Sequence, residues 1–282
     1  PWRDQCRLAA CSDIGVFLDR RDASVANSGS IADHRRMSTS RSSPTAPRFG
    51  VARVLSKAGI ASRTQAAAWI REGRVHVAGR VVRDPEHPVR TGIDEVRVDG
   101  RPIDAVDRRY FALNKPRGLV TTTRDEKNRD TVYRCFDGAD LPWLAPVGRL
   151  DQASEGLLLF TNDSAWAARI ADPATGPDKT YRVQVDGVPD AAAIAAMRSG
   201  LEDRGERLSA KAVTLLKSGG RTAWLEVVLD EGRNRHIRRL AQAAGFPVLR
   251  LLRVAIGPLA LGELGKGAWR ELTAAEVAAL RS

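Results

Sequence analysis

Apolar and polar positions along the chain fall into a few regular patterns. Val51-Ala-Arg-Val-Leu-Ser-Lys-Ala58 has helical spacing and stops at Gly59, as helices do where glycine follows a periodic run. Ser62-Arg-Thr-Gln65 has the form of a capping box and predicts a second helix, running through Glu72 and ended by Gly73. Arg74-Val-His-Val-Ala-Gly-Arg-Val-Val82 then alternates about Ala78-Gly79, and Val96-Arg-Val-Asp-Gly-Arg-Pro-Ile103 about Asp99-Gly100, which predicts two short hairpins. Tyr110-Phe-Ala-Leu-Asn114 predicts an apolar strand that ends in the tight turn Lys115-Pro116-Arg117-Gly118. Leu157-Leu-Leu-Phe-Thr161 predicts a buried strand, followed by a turn at Asn162-Asp163 and an alanine-rich helix around Ala165 to Ala171. From Arg233 to Gly245 the spacing predicts a helix with Ile237, Leu240, Ala241 and Ala244 on its apolar face. Arg235, Arg238, Arg239 and Gln242 are left for the other side.

The chain has 282 residues, more than the ~100–200 of one domain, so two domains are expected. The patterns divide it into a leader, residues 1–48, a small module, residues 49–104, and a larger domain, residues 108–282. The leader is basic, and from Met37 to Arg48 it is rich in Ser, Thr, Pro and Arg and lacks the apolar residues that would offset the entropy of ordering. The chain begins with Pro1 and its first methionine is Met37, which is the expected translational start. The Arg/Ser-rich, acid-poor run from Met37 to Arg48 also has the composition of an organellar transit peptide. Arg20-Arg21 lacks the apolar stretch of a twin-arginine signal.

No apolar run approaches the ~20 residues that span a bilayer, and 28% of residues are charged, so a soluble cytoplasmic protein with no membrane role is expected. Cys6 and Cys11 lie in the leader and only Cys135 in the folded part, which supports neither a disulfide framework nor a metal site. The formal charge of +11 favours a polyanionic partner, because each cation that neutralises a phosphate also releases condensed counterions.

In the small module Arg53, Lys57, Arg63, Arg71, Arg74, Arg80 and Arg83 surround the two helices. That layout suits a phosphate backbone, and it is equally the layout of a solvated face. The segments Arg53-Val-Leu-Ser-Lys-Ala-Gly-Ile-Ala-Ser-Arg63 and Ile70-Arg-Glu-Gly-Arg-Val-His-Val77 resemble the ribosomal-S-four-like RNA-binding domain nearly residue for residue. His76 falls within a strand of this module and carries no assigned role.

Asp151 lies on the loop that feeds the buried strand, where a rigid scaffold brings side chains to the surface. From position alone the ordinary reading is a turn-capping aspartate, and the surrounding residues must decide. The surrounding run Gly148-Arg-Leu-Asp-Gln-Ala-Ser-Glu-Gly-Leu-Leu-Leu-Phe-Thr-Asn-Asp163 resembles the signature of the pseudouridine synthases, in their Rsu-type branch that modifies ribosomal RNA. Four further blocks follow in the family's order: Leu113-Asn-Lys-Pro-Arg-Gly-Leu-Val-Thr121, Lys179-Thr-Tyr-Arg-Val183, Glu231-Gly-Arg-Asn-Arg-His-Ile-Arg-Arg-Leu240 and Leu252-Arg-Val-Ala-Ile-Gly-Pro-Leu259. The resemblance spans residue 49 to the C-terminus. His236 stands where many relatives have glutamine, and Ser164 where glycine is common. A hydrogen bond from His236 is expected rather than titration near neutrality.

The resemblance implies an α+β protein, a helix-turn-helix and hairpin RNA-binding module followed by a catalytic domain on a mixed, largely antiparallel sheet. It implies isomerisation of uridine in ribosomal RNA, with the large subunit favoured, and no cofactor. Asp151 takes the position of the nucleophile, Arg238 that of the guanidinium that keeps it charged, and Tyr181 that of the tyrosine that stacks on the base. Arg149, Lys115 and Arg235, with Arg53, Lys57, Arg63, Arg71 and Arg74 of the small module, are the expected RNA contacts, Lys115 either structural or on a phosphate. Ribosomal RNA or a pre-ribosomal particle is the expected partner of a monomeric enzyme. Two other readings are a non-catalytic RNA-binding or ribosome-assembly factor on the same fold, and a DNA-binding regulator suggested by residues 51–72 alone.

Overall fold

The computed structural model describes residues 47–103, 106–123 and 125–281. The expected leader lies outside the described residues apart from Pro47 and Arg48, and Arg48 opens the first strand.

The small module consists of β1 (Arg48–Gly50), α1 (Val51–Lys57), α2 (Arg63–Arg71), β2 (Val75–Val77), β3 (Arg80–Val81), β4 (Pro88–Arg90), β5 (Val96–Val98) and β6 (Arg101–Pro102). The Ser62 hydroxyl accepts from the Gln65 amide at 3.1 Å and so caps α2. Gly73 follows the helix at φ +79°. Both hairpins form where the alternation places them, β2 with β3 and β5 with β6. Ala78-Gly79 and Asp99-Gly100 have positive φ at both turn residues, the geometry whose twist matches that of paired strands. Strands β3-β2-β5-β6 form one sheet, and β1 pairs with β4. The core is the module's own, with Val51, Leu55, Ala66, Ile70, Val75 and Val89 fully buried.

The larger part continues with β7 (Tyr110–Lys115), a 3-10 turn at Val132–Phe136, β8 (Ala145–Val147), β9 (Glu155–Thr161), α3 (Ser164–Ala171) and β10 (Lys179–Asp186). Then come α4 (Ala191–Ser199), β11 (Leu201–Asp203), β12 (Glu206–Leu208), β13 (Ala212–Ser218), β14 (Thr222–Leu229), α5 (His236–Ala243), β15 (Val248–Ile256), β16 (Leu259–Ala260), β17 (Trp269–Glu271) and α6 (Ala274–Ala279). One sheet runs in the order β13-β14-β10-β15-β9-β7-β17, with β8 beside β9 and β16 beside β15. Its described pairs are antiparallel except β9 with β15, which is the mixed α+β architecture that the resemblance implies.

Strand β9 is apolar without alternation because both its faces are covered. Leu157 and Leu159 join the cluster under α3 and α6, while Leu158 and Phe160 join that of Phe111, Phe136 and Leu150. At its start, Gly156 (φ +103°) lies in register with Arg253 of β15. A Cβ there would meet the Arg253 carbonyl oxygen at 2.2 Å, so only glycine allows the parallel pair to close. Helix α5 begins at His236, three residues later than the apolar spacing predicts. Arg235 at its N-cap takes a left-handed conformation, φ +50°. Among the described residues no helix is long and apolar enough to cross a membrane.

Candidate active site

The loop joining β8 to β9 is held by its backbone. The Leu150 carbonyl accepts from the Thr121 hydroxyl at 2.7 Å, and the Gln152 carbonyl from the Gly118 amide at 2.8 Å. The Ala153 carbonyl accepts from Arg238 Nη2 at 3.0 Å. The carbonyls of Asp151 and Ser154 both accept from Lys115 Nζ, at 3.2 and 2.8 Å, and its third donor goes to Pro116 O at 3.0 Å. Every carbonyl from Leu150 to Ser154 therefore has a partner, and the Asp151 side chain, 36% exposed, projects from a fixed frame.

Lys115 is fully buried, which corrects its place among RNA contacts: an ammonium enclosed by three carbonyls cannot also reach a phosphate. It holds the loop, the structural role the sequence left open. Burial pushes its pKa down from 10.5 to about 8. Because the folded value lies below the unfolded one, the unfolded chain binds more protons between about pH 8 and 10.5. The penalty of burying the ammonium is thus in force below pH 8 and is relieved as pH rises to 10.5. Wild type is expected to gain stability over Lys115→Met across this window in urea titrations. Turnover at saturating substrate should fall above pH 8, where Nζ has one proton fewer for its three carbonyls. A wild-type-minus-variant difference flat with pH would contradict the assignment.

The partner of Asp151 also differs from expectation. Arg235 Nη1 lies 3.9 Å from Asp151 Oδ2. Arg238 donates instead to the carbonyls of Ala153 and Val248, and acts on Asp151 through space. The cause is the left-handed turn at Arg235, which swings the residue before α5 toward the loop while Arg238, one turn into the helix, reaches the loop's backbone. Burial, then the neighbouring Arg235, holds the Arg238 pKa below the ordinary arginine value, and the Asp151 carboxylate opposes both. Arg117, in the turn after β7, also bears on Arg238, and Arg149 is exposed beside Asp151. Among the described residues Arg235 is thus the cation nearest the Asp151 carboxylate.

Tyr181 is half-buried on β10, in register with Arg253 of β15, which is itself in register with Gly156. At ~4.8 Å between neighbouring strands, this row puts Tyr181 about 10 Å from the start of β9. The ring packs against the cluster that contains Leu150 and also against the one under α5. His236 is buried, 3.7 Å from Glu231, and desolvation lowers its pKa, which favours the neutral ring.

Sequence patterns passed over Glu155. It is 3% exposed and bound by Arg250 at 2.9 Å and Lys266 at 3.0 Å, cations from β15 and the turn before β17. Its only sequence signal is an acid at the head of an apolar run. In the small module Arg53, Lys57, Arg63 and Arg71 are exposed, the first two lying over the Phe49 ring. Arg74 is tied to Asp99 and Glu72 and stacked on Trp69, and so is less free for RNA.

Residues 109–243 match the family model described as RNA pseudouridylate synthase, and residues 50–92 match the S4 domain. An RNA pseudouridine synthase of Aquifex aeolicus is 40% identical over 228 residues, covering 80% of this chain and 91% of the relative. The ribosomal large subunit pseudouridine synthase B of Bacillus subtilis is 37% identical over 233 residues, covering 82% and 94%. A solved pseudouridylate synthase superposes with a TM-score of 0.58 at 30% identity, over 82% of this chain and 99% of that one. A carboxylate fixed on a braced loop, faced by arginines and preceded by an S4 domain, thus belongs to a member of the RNA pseudouridine synthase family.

Proposed function

We propose that this enzyme isomerises specific uridines of ribosomal RNA, in the large subunit, with Asp151 as nucleophile and without a cofactor. Its domains are residues 49–104 for RNA binding and 108–282 for catalysis, and it works as a cytoplasmic monomer on ribosomal RNA or a pre-ribosomal particle. The observation that carries the reading is the braced loop: five carbonyls are engaged and the one carboxylate faces Arg235 and Arg238. The name of the Bacillus subtilis relative supports the choice of subunit.

A uridine in folded RNA leaves its stack to reach Asp151, at a cost of a few kcal/mol offset by contacts to the flipped nucleotide. Arg149 and Arg117 supply them. The carboxylate then displaces the uracil anion from C1′ to form a ribosyl ester, or supports the anion's loss without bonding. In either route C1′–N1 breaks, the base turns, C5 bonds to C1′ with the carboxylate set free, and the C5 proton is lost as N1 gains one. Arg235 and Arg238 offset the carboxylate's loss of hydration as the base displaces water. Tyr181 stacks on the base, and its hydroxyl takes part in removing the C5 proton. Tyr181→Phe is therefore expected to retain KM within about threefold, since stacking survives, while kcat falls about 10²-fold or more. Equal kcat in the two proteins would leave Tyr181 a packing residue.

The test of the function is to incubate the protein with unmodified large-subunit ribosomal RNA and map carbodiimide-dependent reverse-transcription stops. New stops at one or a few uridines are expected. A stop pattern identical to that of RNA without protein would overturn the proposal.

A further inference from the structure

The small module and the catalytic domain have separate cores and meet where α1 approaches α3 and the turn after β9. Among the described residues one side chain hydrogen-bonds to both. Arg108 Nη1 donates to the carbonyl of Ala58, the C-cap of α1, at 3.0 Å, and to that of Asn162, in the turn after β9, at 2.9 Å. Its Nη2 reaches Lys57 O at 3.5 Å. The free carbonyls at a helix C-terminus carry partial negative charge, which a guanidinium satisfies.

The far end of this bracket is rigid. Asn162 is 1% exposed, its amide nitrogen donates to Asp107 O at 2.8 Å, and its side-chain oxygen accepts from the Arg109 amide at 2.8 Å. Gly59 presses against the same place. A Cβ there would lie 2.4 Å from the Asn162 carbonyl oxygen and 2.8 Å from Arg108 Nη1.

The bracket grips the helix that bears Arg53 and Lys57. It is anchored at the C-terminal end of β9, whereas the Asp151 loop enters at the N-terminal end. Seven strand residues separate the two ends by about 20 Å. We infer that Arg108 is a positioning residue that sets the phosphate-gripping face of the S4 domain at a fixed span from Asp151. The enzyme thereby selects RNA in which a helix extends from the target uridine to the module, past the length of β9. This rests on ribosomal RNA being the substrate.

The test compares two RNAs: a long ribosomal RNA transcript, and a short stem-loop cut around the uridine that wild type modifies in it. Absence of wild-type product on the transcript would sink the substrate reading, and this inference with it. Given that product, Arg108→Ala should raise KM on the transcript about tenfold or more, because the module's effective concentration at its RNA site falls. Its kcat on the transcript, and its kcat/KM on the stem-loop, should stay within about twofold of wild type. Arg108→Lys, which keeps the charge, should restore part of the KM. Gly59→Ala, a wedge entering from the other side, should reproduce the Arg108→Ala pattern. Equal losses on both RNAs, or an unchanged KM on the transcript, would overturn the inference.

Discussion

Asp151→Asn is expected to reduce pseudouridine formation by about 10⁴-fold or more, equivalent to ~5.5 kcal/mol of transition-state stabilisation. The amide matches the carboxylate in shape but can neither attack a ribose carbon nor balance positive charge developing on it. The fold should not notice. The loop is fixed by its carbonyls rather than by this side chain, whose nearest cation among the described residues is the exposed Arg235 at 3.9 Å. Stability should stay within about 0.5 kcal/mol of wild type. RNA affinity should hold or rise, since a negative charge is removed from a site that receives phosphates. Single-turnover release of tritium from C5-labelled RNA measures the first effect, thermal melting the second and filter binding the third. Residual turnover within tenfold of wild type would remove Asp151 from the chemistry.

Gly156→Ala should destabilise the fold by about 3 kcal/mol or more. Its φ of +103° is unfavourable for any L side chain, and the added methyl group would meet the Arg253 carbonyl oxygen at 2.2 Å and its nitrogen at 2.8 Å. Both neighbours are backbone, so relief means parting β9 from β15. That displaces the Asp151 loop, and a shift of about 1 Å at a reacting group can cost 10²-fold in rate. Gly79→Ala is the control. Its φ is +77° but its surroundings are open, so its cost should be about 1 kcal/mol, that of backbone conformation alone. Urea midpoints of the two variants check the contrast. Equal midpoints would mean that strand contact at Gly156 contributes nothing beyond its dihedral angles.

Local features are legible in the sequence, and features made by distant segments are not. The hairpins at Ala78-Gly79 and Asp99-Gly100, the Ser62 cap and the buried β9 follow from a few adjacent residues each, and all of them form. The start of α5 escapes prediction because apolar spacing carries no trace of the left-handed turn at Arg235. The same turn exchanges the expected neighbours of Asp151. Lys115 has the local sequence of a residue displayed on a turn, and its burial depends on carbonyls that β9 brings from almost forty residues away. Arg108 has the local sequence of one more charge in a linker. The α1 and Asn162 carbonyls that give it a role lie about fifty residues from it.

The parallel pairing of β9 with β15 also bears on when the enzyme becomes active during its own synthesis. Gly156 and Arg253 are roughly a hundred residues apart, so a large loop must close before they meet, and contacts of such long range form late. The S4 domain is built from contacts within residues 48–103 and leaves the ribosome first. A chain made from the N-terminus at ~5–20 residues per second thus presents an RNA-binding face for several seconds before its catalytic loop has a frame. Binding precedes chemistry in the life of each new molecule, as it does in each turnover.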